Sequence, residues 1–132
     1  MQALVVDDSR AMRALLTNVL TTLGAAVDTA PDGAAALERL RGGPLPDVAL
    51  FDWHMPVMDG LELVTAVRKQ PAWRSMAVMM VTSESAHDEM VRALLAGADE
   101  YLLKPFTADA VAEKLHLLGV TPTVALAAAT RG

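Results

Sequence analysis

The chain alternates between short apolar runs and longer segments with helical spacing. The runs lie at residues 3–6, 25–30, 48–51, 77–81 and 101–103, and the second is weaker because Asp28 interrupts it. Strands that are buried on both faces read as continuous apolar runs, and parallel strands need crossover connections between them. The pattern therefore predicts an α/β fold: a five-stranded parallel sheet, doubly wound by five helices through right-handed crossovers, with the second strand at an edge.

Local signals mark where the intervening helices begin and end. Ser9 is placed to cap the first helix, and Gly24 to stop it. Asp59 and Glu62 have the spacing of a capping box for the third helix. The last helix is predicted to begin near Thr107.

Composition limits the classes of function that remain open. The 132 residues, 53% of them apolar, have room for one domain, which we place at residues 1–118; residues 119–132 form either a tail or a short extra helix. The 11 basic and 16 acidic residues give a net charge of −5, which argues against nucleic-acid binding. Neither a signal peptide nor an apolar stretch of about 18 residues is visible, so we expect a cytoplasmic protein without a membrane span. Three scattered aspartates are interpreted as solvated: Asp28, Asp47 and Asp99.

Polar residues follow four of the apolar runs directly. Asp7 and Asp8 follow the first run, Asp52 the third, Thr82 the fourth and Lys104 the fifth. The carboxyl ends of parallel strands meet at one edge of the sheet, where open α/β folds keep their chemistry. Three carboxylates, a hydroxyl and an ammonium at that edge indicate a site for a divalent cation and a phosphoryl group.

The residue types suggest roles within this site. Mg²⁺ prefers oxygen ligands and takes one or two carboxylates, which Asp8 and Asp52 can supply together with the backbone carbonyl of His54. A carboxylate can also act as a nucleophile and form an aspartyl-phosphate, for which Asp52 is the best candidate. Lys104 would then neutralise the phosphoryl oxygens, and Thr82 would donate a hydrogen bond to one of them.

Four strings in this order and spacing, VVDDS, DWHMPVMDG, VTSE and YLLKPF, resemble the receiver domain of two-component response regulators, and the single-domain chemotaxis type most of all. The resemblance covers roughly residues 2–118 and implies the flavodoxin-like strand order 2-1-3-4-5. It implies that a sensor histidine kinase phosphorylates Asp52, and that Thr82 and Lys104 bind the phosphoryl group. The implied ligands of Mg²⁺, or of Mn²⁺ in its place, are Asp7, Asp8, Asp52 and the backbone carbonyl of His54.

The resemblance also implies a conformational switch. The Lys104–Pro105 peptide bond is expected to be cis, and Tyr101 matches the aromatic residue that turns inward when Thr82 moves onto the phosphoryl group. His54 stands where the chemotaxis type usually has asparagine, and Glu84 follows Thr82 by two residues. Both side chains are predicted to flank the path of the hydrolytic water and so to tune dephosphorylation.

The fourth helix, predicted at about residues 85–96 with Gly97 after it, carries two apolar pairs at i, i+4 spacing. A helix on a sheet buries one stripe, and we assign Val91 and Leu95 to the core. Met90 and Leu94 would then face solvent, beside Tyr101. The predicted partner-binding face comprises Met90, Leu94, Tyr101 and Lys114.

The sequence thus predicts a stand-alone response regulator that acts by binding a downstream protein, such as a flagellar motor switch protein. A phosphate sink or relay receiver is the alternative within the same class. A Mg²⁺-dependent phosphohydrolase is disfavoured because His54 occupies the position where such enzymes carry a second acid. A flavin binder is disfavoured because Asp7 and Asp8 would repel the flavin phosphate.

Overall fold

The protein forms one parallel sheet flanked by five helices in a computed structural model that describes residues 1–83 and 87–120. The strands lie in the order β2-β1-β3-β4-β5, and each neighbouring pair is parallel. The predicted fold class, strand order and edge position of β2 are therefore confirmed. The elements in chain order are β1 (Gln2–Val6), α1 (Arg10–Thr22), β2 (Ala26–Ala30), α2 (Gly33–Gly42), β3 (Val48–Asp52), α3 (Gly60–Arg68), a 3₁₀ turn (Pro71–Trp73), β4 (Ala77–Thr82), α4 (His87–Ala96), β5 (Glu100–Leu103) and α5 (Ala108–Leu117).

Two apolar layers cover the two faces of the sheet. Alternate residues of each strand point to opposite faces, so Leu4 joins one layer and Val5 the other. One layer is completed by α2, α3 and α4, and the other by α1 and α5. Each large side chain that becomes fully buried contributes about 1.5–3 kcal/mol, and every residue of β3 is buried, so this strand lies at the centre of the core.

Short-range hydrogen bonds fix the starts of the helices as predicted. The Ser9 hydroxyl accepts from the backbone N–H of Met12, and the Thr107 hydroxyl from that of Ala110. Asp59 and Glu62 form the expected reciprocal capping box. These caps place the β–α loops reproducibly above the carboxyl edge of the sheet.

The prediction for the buried face of α4 was wrong. Val91 and Leu95 are exposed, the latter at 82%, whereas Ala93 is buried at 1%. The helix packs closely against α3 and β5 through its small residues, so the size of a side chain did not indicate its burial. Leu94 is exposed as predicted, and Met90 is half-buried.

The three aspartates interpreted as solvated are exposed, but each also accepts a hydrogen bond. Asp28 accepts from Arg39, and Asp47 from the backbone N–H of Gln2. Asp99 accepts from both Arg68 and the backbone N–H of Val78. The last two acceptors sit at the amino ends of the strands, opposite the candidate site.

Two predictions fall partly or wholly outside the described residues. Glu84 is one, and residues 121–132 of the segment after the domain are the other. Among the helices of the described residues, none is long and apolar enough to cross a membrane.

Candidate functional site

The carboxyl edge of the sheet brings four of the predicted site residues together. Asp52 ends β3 and Asp7 follows β1, its neighbour in the sheet. Thr82 ends β4, and Lys104 follows β5, so the four side chains come from four adjacent strands. The backbone N–H of Lys104 donates to the carbonyl of Thr82 at 2.8 Å, which holds these last two strand ends together.

Lys104 is the cation at the centre of this cluster. Its Nζ lies 3.0 Å from Oδ1 of Asp52 and 3.8 Å from Oδ2 of Asp7. The first distance is a hydrogen-bonded ion pair, and the second an electrostatic contact only. The Lys104–Pro105 bond is cis, as the resemblance implied.

Asp7 is buried, with only 1% of its surface exposed, and is held from several sides. Its Oδ1 accepts from the backbone N–H of Ser9 at 2.8 Å, and its backbone carbonyl accepts from Nη1 of Arg13 at 2.7 Å. Its Oδ2, however, has no hydrogen-bond partner within residues 1–83 and 87–120. A buried carboxylate oxygen without a donor is costly unless a ligand completes it.

The electrostatic state of Asp7 reflects this position. Burial raises the pKa of its carboxyl above the ordinary value of 3.8, and the negative charges of Asp52 and Asp8 raise it further. The Ser9 N–H and the Lys104 ammonium act in the opposite direction but do not cancel the rise in pKa. The folded protein therefore carries a carboxylate that it disfavours, which is typical of functional sites.

Three carboxylates converge as a metal-binding group would require. Asp8 is exposed whereas Asp7 and Asp52 are buried, as expected from the alternation of side chains at a strand end. Even so, one oxygen from each of the three lies within 4.8 Å of the others. All three groups offer carboxylate oxygens, which are the ligands that Mg²⁺ prefers. One of these oxygens, Oδ2 of Asp7, receives no hydrogen bond from the described residues, so the group fits a Mg²⁺-like cation.

The loop after β3 is shaped by a residue that the sequence reasoning passed over. The Trp53 N–H donates to the carbonyl of Val81, and the Gly60 N–H donates to the carbonyl of Trp53. A Cβ atom on Gly60 would overlap the carbonyl oxygen of Asp52, so only glycine allows α3 to start this close to the acceptor strand. The Asp59-Gly60 pair was the sequence signal that could have predicted this close contact. Arg13, which donates to the backbone carbonyl of Asp7, was also missed, and no sequence signal pointed to it.

The remaining predicted residues lie around this centre. His54 is exposed, and its ring centroid is 6.5 Å from that of the buried Trp53. Tyr101 is half-buried on β5, where it pairs in register with Met80, and Lys114 of α5 lies beside it. Val57, fully exposed at the tip of the same loop as His54, has a φ of 70°, which is unusual for a β-branched residue.

Residues 3–116 match the family model described as the response regulator receiver domain. The chain belongs to this family. It is 40% identical over 119 residues to the chemotaxis protein CheY1 of Helicobacter pylori, an alignment that covers 89% of this chain and 96% of that protein.

Solved structures agree with the assignment. The chemotaxis response regulator CheY4 of Vibrio cholerae is similar with a TM-score of 0.83 at 33% identity, over 89% of this chain and 97% of that one. The signal receiver domain of a signal transduction histidine kinase from Syntrophus aciditrophicus is similar with a TM-score of 0.81 at 31% identity, over 92% and 93% of the two chains. The protein is therefore a two-component response regulator of the chemotaxis type, a signalling switch by class.

Proposed function

We propose that a sensor histidine kinase transfers a phosphoryl group to Asp52, and that the modified protein binds a downstream target. The observation that supports this most is the 3.0 Å pairing of Asp52 with Lys104 beside two further carboxylates. Two further carboxylates repel Asp52 and lower stability, so they would not be expected beside an ion pair that served only stability. A phosphoryl acceptor needs these additional carboxylates, since it combines a carboxylate nucleophile with a fixed cation and with ligands for a metal ion.

In the phosphorylation step, a carboxylate oxygen of Asp52 attacks the phosphorus of a phosphohistidine. The new O–P bond forms as the N–P bond breaks, and the imidazole leaves with the bonding electrons. Lys104 is already at the acceptor, so its ammonium can balance the charge on the phosphoryl oxygens, and Thr82 donates a hydrogen bond to one of them. The protein catalyses only its own phosphorylation and dephosphorylation.

A divalent cation belongs to the same proposal. The ligands we assign to Mg²⁺, or to Mn²⁺ in its place, are Asp7, Asp8, Asp52 and the backbone carbonyl of His54. When bound, such an ion offsets the charge of the carboxylates and of the incoming phosphoryl group. Burial and the hydrogen bonds from Ser9 and Arg13 hold Asp7 in place for this role.

The position of Thr82 supports a conformational switch as part of the proposal. Thr82 is buried at the end of β4, one residue beyond the register partner of Asp52, and Tyr101 lies on the adjacent strand. A phosphoryl group on Asp52 attracts the Thr82 hydroxyl, and the volume that it leaves admits the Tyr101 ring. The two states then differ at the face formed by Met90, Leu94, Tyr101 and Lys114, which we propose as the partner-binding surface.

The lifetime of the phosphorylated state is proposed to depend on His54 and Glu84, beside the path of the attacking water. His54 is exposed at the site, and Glu84 lies outside the described residues. Replacing His54 by asparagine should shift the rate of autodephosphorylation several-fold, with little effect on phosphorylation.

The identity of the relatives supports a chemotaxis output, so we propose a flagellar motor switch protein as the target. A relay or phosphate sink is the second candidate, because one similar structure is the receiver domain of a histidine kinase.

The proposal can be tested without any kinase, since the receiver itself would supply the nucleophile. Acetyl phosphate labelled at phosphorus should phosphorylate the protein in the presence of Mg²⁺. The label should be sensitive to hydroxylamine, as an acyl phosphate is, and absent from Asp52→Asn. Asp47→Asn is the matched control, because Asp47 lies next to the other end of β3 and should leave labelling intact. Label that persists in Asp52→Asn would assign the acceptor elsewhere.

A further inference from the structure

Lys114 connects the two faces of the sheet around its last strand. Its Nζ lies 3.0 Å from Oε1 of Glu100 and 4.5 Å from the centroid of the Tyr101 ring. The same Glu100 oxygen accepts the backbone N–H of Tyr101 at 3.1 Å. Glu100, Tyr101 and Lys114 thus form a closed group of three interactions between β5 and α5.

The fold explains how these residues meet. Successive residues of β5 point to opposite faces, so Glu100 shares the α5 side with Leu102, while Tyr101 packs against the layer of α3 and α4. Lys114 follows the buried Val111 by three residues and is half-buried, at the edge of the face that α5 packs on the sheet. Because β5 is the last strand in the sheet order, the long Lys114 stem can pass around it and reach the ring on the far side.

The group is sheltered enough to matter energetically. The side chains of Lys114 and Glu100 are 25% and 19% exposed, so water screens their interaction less than that of a surface pair. An ammonium over an aromatic ring adds an attraction that depends on where the ring is. An inward movement of the ring therefore has to break this contact.

We propose that Glu100 and Lys114 are positioning residues that hold the Tyr101 ring in its present orientation and so set how readily it turns inward. This rests on the proposed function, in which Tyr101 reports phosphorylation to the partner surface. Glu100 fixes the ammonium, and the ammonium fixes the ring. Loss of either charge should change the ratio of the two ring orientations by about two- to fivefold.

Tyr101 is the only tyrosine of the chain, so it can be observed alone. Protein labelled with fluorotyrosine gives one fluorine NMR resonance, whose broadening by a gadolinium chelate in solution reports the exposure of the ring. Without any phosphoryl mimic, Lys114→Met and Glu100→Gln should both shift this resonance and change its broadening. Lys114→Arg retains a cation and should resemble the wild type. If the Lys114 stem acted only through apolar packing, Lys114→Met would resemble the wild type instead.

Glu113→Gln is the matched control, because Glu113 is exposed next to Lys114 and should leave the resonance unchanged. Wild-type resonance and broadening in both Lys114→Met and Glu100→Gln would overturn the positioning role. The switch itself is tested separately by adding beryllofluoride and Mg²⁺ to the wild type. If that addition fails to move the resonance, the proposed switch is wrong even where the two variants show that the positioning group exists.

Discussion

At the amino edge of the sheet, Asp99 accepts hydrogen bonds from the Val78 N–H and the Arg68 guanidinium, at 2.9 and 2.8 Å. At the carboxyl edge, the buried Asp7 keeps one oxygen without a donor among residues 1–83 and 87–120, and two more carboxylates lie within 4.8 Å. Both edges use aspartate beside strand ends. At the first edge, both donors reach Oδ2 of an exposed aspartate, whereas at the second edge the oxygen without a donor is buried.

The difference separates two uses of the same side chain. Where Asp99 is paired with a backbone N–H and a cation, its charge ties β4 to the turn before β5 and stabilises the fold. Where Asp7, Asp8 and Asp52 are crowded together, their repulsion lowers stability, and a bound cation would restore it. Local inconsistency of this kind concentrates where a protein binds or reacts.

The largest effect is expected from Gly60→Ala at the carboxyl edge. The new methyl group would overlap the carbonyl of Asp52, and the backbone cannot yield there as a flexible side chain could. We expect the free energy of unfolding to fall by about 1–3 kcal/mol, together with slower labelling by acetyl phosphate. The measurements are urea denaturation and the labelling rate.

Gly42→Ala is the control for Gly60→Ala, since nothing lies within 4 Å of its added Cβ at the end of α2. That variant should be neutral or slightly more stable. Equal stabilities of the two alanine variants would mean that the close approach of the first residue of α3 to the Asp52 carbonyl is not required for stability.

Charge removal should act in opposite directions at the two edges. Asp99→Ala leaves the Val78 N–H and Arg68 without their acceptor, and we expect a loss of about 1–2 kcal/mol. Asp8→Ala removes a charge that repels its neighbours, so its thermal midpoint without Mg²⁺ should rise by a few degrees. The gain on adding Mg²⁺ should narrow in Asp8→Ala but persist in Asp99→Ala.

Differential scanning fluorimetry measures the thermal midpoints of both variants, each with and without Mg²⁺. A midpoint for metal-free Asp8→Ala at or below that of the wild type would refute the repulsion argument.

The cost of burying the charge of Asp7 should appear in the pH dependence of stability. Its pKa is raised above 3.8 in the folded state, so the folded protein binds more protons than the unfolded chain between 3.8 and the raised value. The contribution of Asp7 to stability therefore falls as the pH rises through that window, and the cost of the buried charge is complete above it. Urea midpoints of the metal-free protein should show this fall in the wild type and a flatter profile in Asp7→Asn. Parallel profiles would contradict it.

The smallest effect concerns the strained loop beside the site. Val57 has a φ of 70° and is fully exposed, so its side chain gains nothing from packing. Val57→Asn should raise the free energy of unfolding by about 1 kcal/mol, because asparagine tolerates the left-handed region. Val91→Asn, an exposed position on α4, is the comparison variant and should not stabilise. A gain in both would point to surface polarity instead of backbone strain.

Much of this architecture was determined by local sequence. Ser9, Asp59 and Thr107 cap helices through hydrogen bonds that span three residues, and apolar runs mark buried strands wherever they lie, so neither depends on distant partners. The ends of those runs also predicted that Asp7, Asp52 and Lys104 would meet, since parallel strands end at one edge. The strand order, by contrast, came from the family resemblance.

Tertiary structure decided what depends on contacts between distant segments. Ala93 is buried in place of Val91 because α4 approaches its neighbours closely, and no periodicity reports how near two elements pack. The hydrogen bonds of Asp99 and the cation over Tyr101 likewise join residues 13 to 31 positions apart in the chain. A one-dimensional pattern encodes which side chains can make such contacts, but the partners are fixed only when the sheet and helices have brought them together.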